Sequence, residues 1–199
     1  VALLALSACV TTENSNYGSG PLPPFIPAVQ KEIAVYLSRQ ELDRALAVSP
    51  DGRFVTRSYC ERYGGIGRCG NNEIIAVADC NRRSGQQCKI IASDNIIVWR
   101  NPQPEPQTAW AISMEVGGVR YAGSAKTSTV PGLQLFTVDS PDGPCQGALV
   151  MTGASGSWAA SCASGVTAGG QLSATGPRSS TGTGQDSTGR NIKFASARQ

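Results

Sequence analysis

Histidine is absent from all 199 residues. Its absence excludes Ser–His and Cys–His dyads and removes the commonest general base. Zinc would have to be held by thiolates, yet no two cysteines form a CxxC pair. Aromatic residues are few, 6% of the chain, and no run of like charge occurs. The net charge of +3 comes from interleaved acids and bases, as in KEIAVYLSRQELDR. That pattern is a solvated mixed surface and does not call for nucleic acid. Long apolar runs are missing too: the uncharged stretch at residues 1–8 falls far short of the ~20 residues that cross a bilayer as a helix.

That stretch is nevertheless informative. VALLALSA ends in small residues and then meets Cys9. An apolar segment before a small-residue cleavage site has the form of a signal peptide, so residues 1–8 are expected to be the remnant of one. Leu6-Ser7-Ala8-Cys9 resembles the lipobox of bacterial lipoproteins. The resemblance implies cleavage before Cys9, a diacylglycerol on its sulfur and an acylated amino group. Val10, at the position where Asp signals inner-membrane retention, implies the outer membrane of a Gram-negative cell. Residues 10–26, VTTENSNYGSGPLPPFI, have no apolar period, so residues 9–26 are expected to form a lipid-anchored flexible tether.

Setting Cys9 aside leaves Cys60, Cys69, Cys80, Cys88, Cys145 and Cys162. An even number in a secreted chain reads as disulfides, with many pairings open. Joining sequence neighbours is the simplest set: Cys60–Cys69, Cys80–Cys88 and Cys145–Cys162. Closing a loop of ~15 residues contributes ~3 kcal/mol in the chain-entropy model. A metal at these irregular spacings in an oxidising compartment is rejected.

Glycine (23) and proline (12) are plentiful, which favours turns and strands. Pro27 suits the first position of a helix. Val29, Ile33, Tyr36 and Leu37 then share one helical stripe. Ser38 and Glu41 have capping-box spacing, with Leu37 and Leu42 as a staple, so a second helical turn is expected after them. ALAVSPDGRFVTRSYC reads as a hairpin around Ser49-Pro50-Asp51-Gly52. RCGNNEIIAVADCNRRSG reads as a helix capped by Asn71 or Asn72, carried on by Ile74, Ile75, Ala78 and Cys80 or Asn81, and stopped by Gly85. CKIIASDNIIVW places two β-branched runs around Ser93-Asp94-Asn95, a bulged strand or tight hairpin. NPQPEPQ, residues 101–107, has Pro at alternate positions, cannot join a ladder, and is expected to link two domains. From Trp110 onward only strands and turns are visible. Gly117-Gly118 separates two runs, Ser-Pro-Asp-Gly recurs at 140–143, and further runs follow at regular intervals, the spacing of an antiparallel sandwich or small barrel.

Two further resemblances rest on these residues. The run from Ala47 to Gly52, then Cys80, Gly85, Cys88 and Val98-Trp99, resembles a small module of secreted Gram-negative proteins. It implies a hairpin, helix and strand stapled by Cys80–Cys88, and no activity; the Cys60/Cys69 insertion departs from it. Gly156, Trp158, Cys162 and Gly165, followed by Gly182, Gly184, Asp186, Gly189 and Phe194, resemble β modules of other Gram-negative lipoproteins, without known chemistry.

Candidate sites are sparse. Gly182 to Asp186 has a trace of a calcium-binding repeat, but one copy without a second acidic ligand cannot supply 6–8 oxygens, and a turn at Asp186 explains it better. Gly64-Gly65-Ile66-Gly67 lacks the following helix and Lys of a phosphate loop. A carboxylate pair drawn from Asp79, Asp94, Glu73 and Glu61 is the route left to catalysis, as in glycan cleavage. Trp99 and Trp110 are candidates for binding a glycan or a partner surface, with a core role as the default.

The sequence thus leads to an α+β protein. A small disulfide-stapled hairpin/helix/strand domain (27–100) and a linker (101–107) precede an antiparallel all-β sandwich or barrel-like domain (108–199). Its expected role is structural: an outer-membrane lipoprotein, periplasmic or surface facing, that contacts an envelope protein or peptidoglycan without catalysis. The covalent lipid on Cys9 is the only expected prosthetic group, with no metal and no other cofactor. The alternative is a glycan-active enzyme.

Overall fold

Pro27 occupies the first position of α1 (Pro27–Ser38). The computed structural model describes residues 16–39, 43–59, 71–94, 96–100, 109–127, 130 and 132–198. Val29, Ile33 and Leu37 are buried along one stripe of α1. Its C-terminus is closed from outside the helix: the Arg44 guanidinium donates to the carbonyls of Tyr36 (2.6 Å) and Arg39 and lies 4.1 Å over the Tyr36 ring. A cation there meets the negative end of the helix dipole. Ser38 ends the helix and donates to the Val35 carbonyl, so it caps no new turn. Glu41 and Leu42 lie outside the described residues.

β1 (Arg44–Val48) and β2 (Val55–Tyr59) form the expected hairpin. Its turn is pinned by Ser49 Oγ donating to Asp51 and by Gln86 Nε2 donating to the other oxygen of the same carboxylate. α2 (Asn72–Ser84) follows and stops at Gly85, whose φ of 70° favours glycine. β3 (Lys89–Ser93) and β4 (Ile96–Ile97) make a tight hairpin, completing an antiparallel sheet in the order β2-β1-β3-β4. Neither asparagine caps α2 by its side chain. Asn71 makes no capping bond, and Asn72 instead donates to the Asp43 carbonyl and accepts from Ser58. The apolar stripe read through Ile74, Ile75 and Ala78 points away from the sheet. Ala76 and Cys80 face it, because the opposing strand offers only Ala45 and Ala47 and admits small residues at close range. Cys80–Cys88 is a disulfide.

The rest of the described chain is a meander: β5 (Ala109–Val116), β6 (Val119–Thr127), β7 (Leu133–Ser140), β8 (Gly143–Thr152), β9 (Ser155–Cys162), β10 (Thr167–Gly176), β11 (Ser179–Asp186) and β12 (Asn191–Arg198). Each pairs antiparallel with the next, and β12 pairs with β5, closing an eight-stranded barrel. The barrel, not the sandwich, is therefore the architecture. The protein is mostly β, and the α+β description fits only its first part. Trp158, Phe194 and Phe136 fill the barrel, with Trp158 stacked on Phe194 at 4.9 Å. Gly147, paired with Phe136, leaves room for that ring.

Successive residues of β8 and β9 alternate between two cores. Leu149, Trp158 and Ala160 belong to the barrel interior, whereas Ala148, Val150 and Ala159 pack outward against α1. The α1 side of the same outer cluster holds Leu46, Val48 and Ile91 of the small sheet. The layers thus run α2, sheet, α1, barrel wall, with one apolar cluster joining residues on both sides of 101–107. That stretch itself lies outside the described residues.

The tether expected over residues 9–26 is corrected from residue 16 onward. Residues 16–20 are inserted as an extra strand between Ile90 and Arg100: Gly18 N–H donates to the Ile90 carbonyl, and Gly20 N–H to that of Arg100. Phe25 is buried in the cluster with α1. The polar composition misled because backbone pairing and one tryptophan, not an apolar period, hold this strap.

Candidate functional site

The carboxylates read as an acid–base set do not converge. Asp79 is tied to Arg82 and Arg83 on its own helix. Glu73 accepts from the Tyr17 hydroxyl at 3.0 Å, and Asp94 accepts from the Arg44 backbone N–H at 3.1 Å. Glu61 lies outside the described residues.

A closer pair, which sequence reasoning missed, is Asp142 and Asp186. Arg190 spans them, its Nε 2.6 Å from Asp186 and its terminal nitrogen on Asp142. Burial alone would raise the Asp186 carboxyl, but hydrogen bonds from Thr188 and Arg190 prevail and hold it at about 2. A general acid needs the opposite shift. These groups stitch two hairpin turns together at one rim of the barrel. The Cys145–Cys162 disulfide joins facing residues of β8 and β9 near the same turns. Each turn was legible alone; only barrel closure brings them side by side. Cys60 and Cys69 lie outside the described residues.

The calcium-like glycines have a packing explanation. A Cβ at Gly182 or Gly184 would overlap the carbonyl oxygens of Gln171 and Gly169 on the neighbouring strand. Asp186 then accepts the N–H groups of Thr188 and Arg190, shaping the turn. Residues 64–67 lie outside the described residues.

The tryptophans do not form an exposed platform. Trp99 is 6% exposed beneath the strap, and its indole N–H donates to the Gly20 carbonyl. Trp110 packs, partly buried, against the barrel's interior cluster, and its indole N–H lacks a partner. Both rings contribute to packing, Trp99 in the cluster with α1 and Trp110 against the barrel interior.

A groove of ≈ 830 Å³ lies between α1 and the barrel wall. Lys31 and Val35 of α1 and Arg39 just after it line one side; Thr167, Thr183 and Gln185 of the barrel wall are among the residues opposite. Lys193 stands at its edge, with Nζ 2.8 Å from Glu115. The acidic residue on the lining, Asp186, is engaged by Arg190, so the groove presents hydroxyls, amides and the Lys31 ammonium beside apolar Val35, Ala160 and Ala168. Such a surface can hydrogen-bond an extended polar chain and favours a negatively charged one. It draws on a helix and separate strands, so no local motif announced it.

The barrel's polarity is also informative. Its interior is apolar, while Glu115, Lys193 and Thr183 lie on strands with their polar groups toward the outside. A transmembrane barrel has the reverse arrangement. No helix among the described residues is long and apolar enough to cross a membrane.

No family model matches the chain, and no curated protein matches it. Among solved structures it is similar to a redesigned β barrel, mFAP1, bound to DFHBI, with 18% identity and a TM-score of 0.39, covering 46% of this chain and 93% of that one. It is also similar to a fluorescence-activating β barrel of de novo design, with 21% identity and a TM-score of 0.38, covering 46% of this chain and 92% of that one.

Proposed function

We propose that the protein is a non-catalytic docking module of the bacterial outer membrane, anchored by lipid on Cys9. Its groove between α1 and the barrel wall engages an extended, negatively charged segment of an envelope protein or of peptidoglycan. The observation that carries this reading is the groove's chemistry: hydroxyls, amides and the Lys31 ammonium line it, while its acidic lining residue, Asp186, is bonded to Arg190. The lipobox-like LSAC supports the anchor. Glycan cleavage has less support, because the described candidate carboxylates are engaged in separate hydrogen bonds and ion pairs.

Co-sedimentation with purified peptidoglycan sacculi, and photo-cross-linking from position 183 in intact envelopes, test the docking surface. Lys31→Glu should weaken both, whereas Val119→Glu, on the β5–β6 hairpin outside the groove, should not. Equal retention by the two variants would sink the groove assignment. Metabolic labelling with a clickable fatty acid tests the anchor separately: wild type should take the label and Cys9→Ser should not.

A further inference from the structure

We propose that the outer face of α2, formed by Ile74, Ile75 and Ala78, rests in the headgroup–acyl boundary of the phospholipid bilayer; this rests on the lipid-anchor reading of Cys9. Ile74 and Ile75 are 56% and 54% exposed, two adjacent apolar side chains turned away from the sheet. Arg82 is on the same outward side, placed to keep its charge near lipid phosphates while its stem lies on apolar surface. The neighbouring carboxylates are engaged: Asp79 with Arg82 and Arg83, Glu73 with the Tyr17 hydroxyl.

The route of the chain selects the bilayer as occupant. Tyr17 packs in the cluster beneath α2, together with Val77, and its hydroxyl reaches Glu73, the residue before Ile74. The chain therefore enters the fold in the small sheet, with the Tyr17 side chain on the α2 side. Tyr17 is eight residue steps from Cys9, which even fully extended span no more than about 29 Å. An acylated Cys9 sits at the membrane surface, so α2 is the layer held closest to it. The sheet and α1 separate α2 from the barrel, which leaves the groove on the side away from the lipid.

The test uses the full acylated chain in vesicles of phosphatidylethanolamine and phosphatidylglycerol containing brominated acyl chains. Ile75→Trp and Ile74→Trp each add one fluorophore at an exposed position, and Val119→Trp adds one on the β5–β6 hairpin. The added emission of the two α2 variants should fall about twofold on bromination, and that of Val119→Trp should not change. Mass spectrometry first establishes acylation of Cys9. If Cys9 is acylated and neither α2 variant is quenched, or Val119→Trp is quenched instead, this inference is overturned and the anchor stands. If Cys9 carries no acyl chain, both fall.

Discussion

The indole N–H of Trp99 donates to the Gly20 carbonyl at 2.8 Å, and the ring lies flat enough against Gly18 that no Cβ fits there. A segment with the composition of a loose tether is thereby clamped into the small sheet. The bond also explains how a tryptophan can be nearly buried and still satisfy its donor.

Replacing Gly18 should release the clamp. Gly18→Val forces the strap or the Trp99 ring to move, and overpacking of this kind costs roughly 1–3 kcal/mol. Urea unfolding followed by tryptophan fluorescence should show a lower midpoint, with the residues before Phe25 more open to protease. An unchanged midpoint would mean that the strap contributes nothing to stability.

The Cys145–Cys162 disulfide spans a sequence separation of 17. The chain-entropy model then gives about 3 kcal/mol for its removal. The Cys145→Ala/Cys162→Ala double variant should lose that much in denaturant unfolding. Peptide mapping without reductant should recover Cys80 linked to Cys88 and Cys145 linked to Cys162, and a Cys60–Cys69 peptide if the neighbour pairing extends to all six. Alkylatable thiols at Cys145 or Cys162 would contradict the fold as described.

Acid should loosen the barrel rim. The Asp186 carboxyl lies below its ordinary 3.8, at about 2, in the folded protein. Its folded value is depressed, so its stabilisation is complete above about 4 and is lost as pH falls toward 2. The unfolding midpoint should drop across that window. Asp186→Asn should flatten the drop and cost about 1.5–3 kcal/mol at neutral pH by weakening charge-assisted bonds to Arg190. A variant that retains the full pH dependence would assign it to other carboxylates.

Shared packing should hold the two parts of the chain together. Ile33 is fully buried between the small sheet and the barrel wall. Ile33→Ala should cost about 2–5 kcal/mol. With a protease site introduced in 101–107, the cut halves should co-elute on size exclusion under native conditions. Separation into two folded pieces would instead establish the independent domains expected from composition.

Local signals survived folding where one short segment carries its own reason. Pro27 opened a helix, Gly85 stopped one, Ser49 to Gly52 turned a hairpin, and cysteines close in sequence at 80/88 and 145/162 paired. The repeated strands and turns after Trp110 likewise announced an antiparallel β architecture, because period and turn chemistry are properties of neighbouring residues. Tertiary structure decided the rest. Ile74 and Ile75 faced outward because β1 beneath α2 presents Ala45 and Ala47, a fact held by a strand some thirty residues away. Barrel rather than sandwich depended on β12 meeting β5, a pairing between the two ends of the meander. The Asp142–Arg190–Asp186 stitch, the clamp of Gly18 by Trp99 and the groove beside α1 each join residues far apart in sequence. Such contacts leave no periodic trace, since each side chain is chosen by a neighbour that only the closed fold supplies.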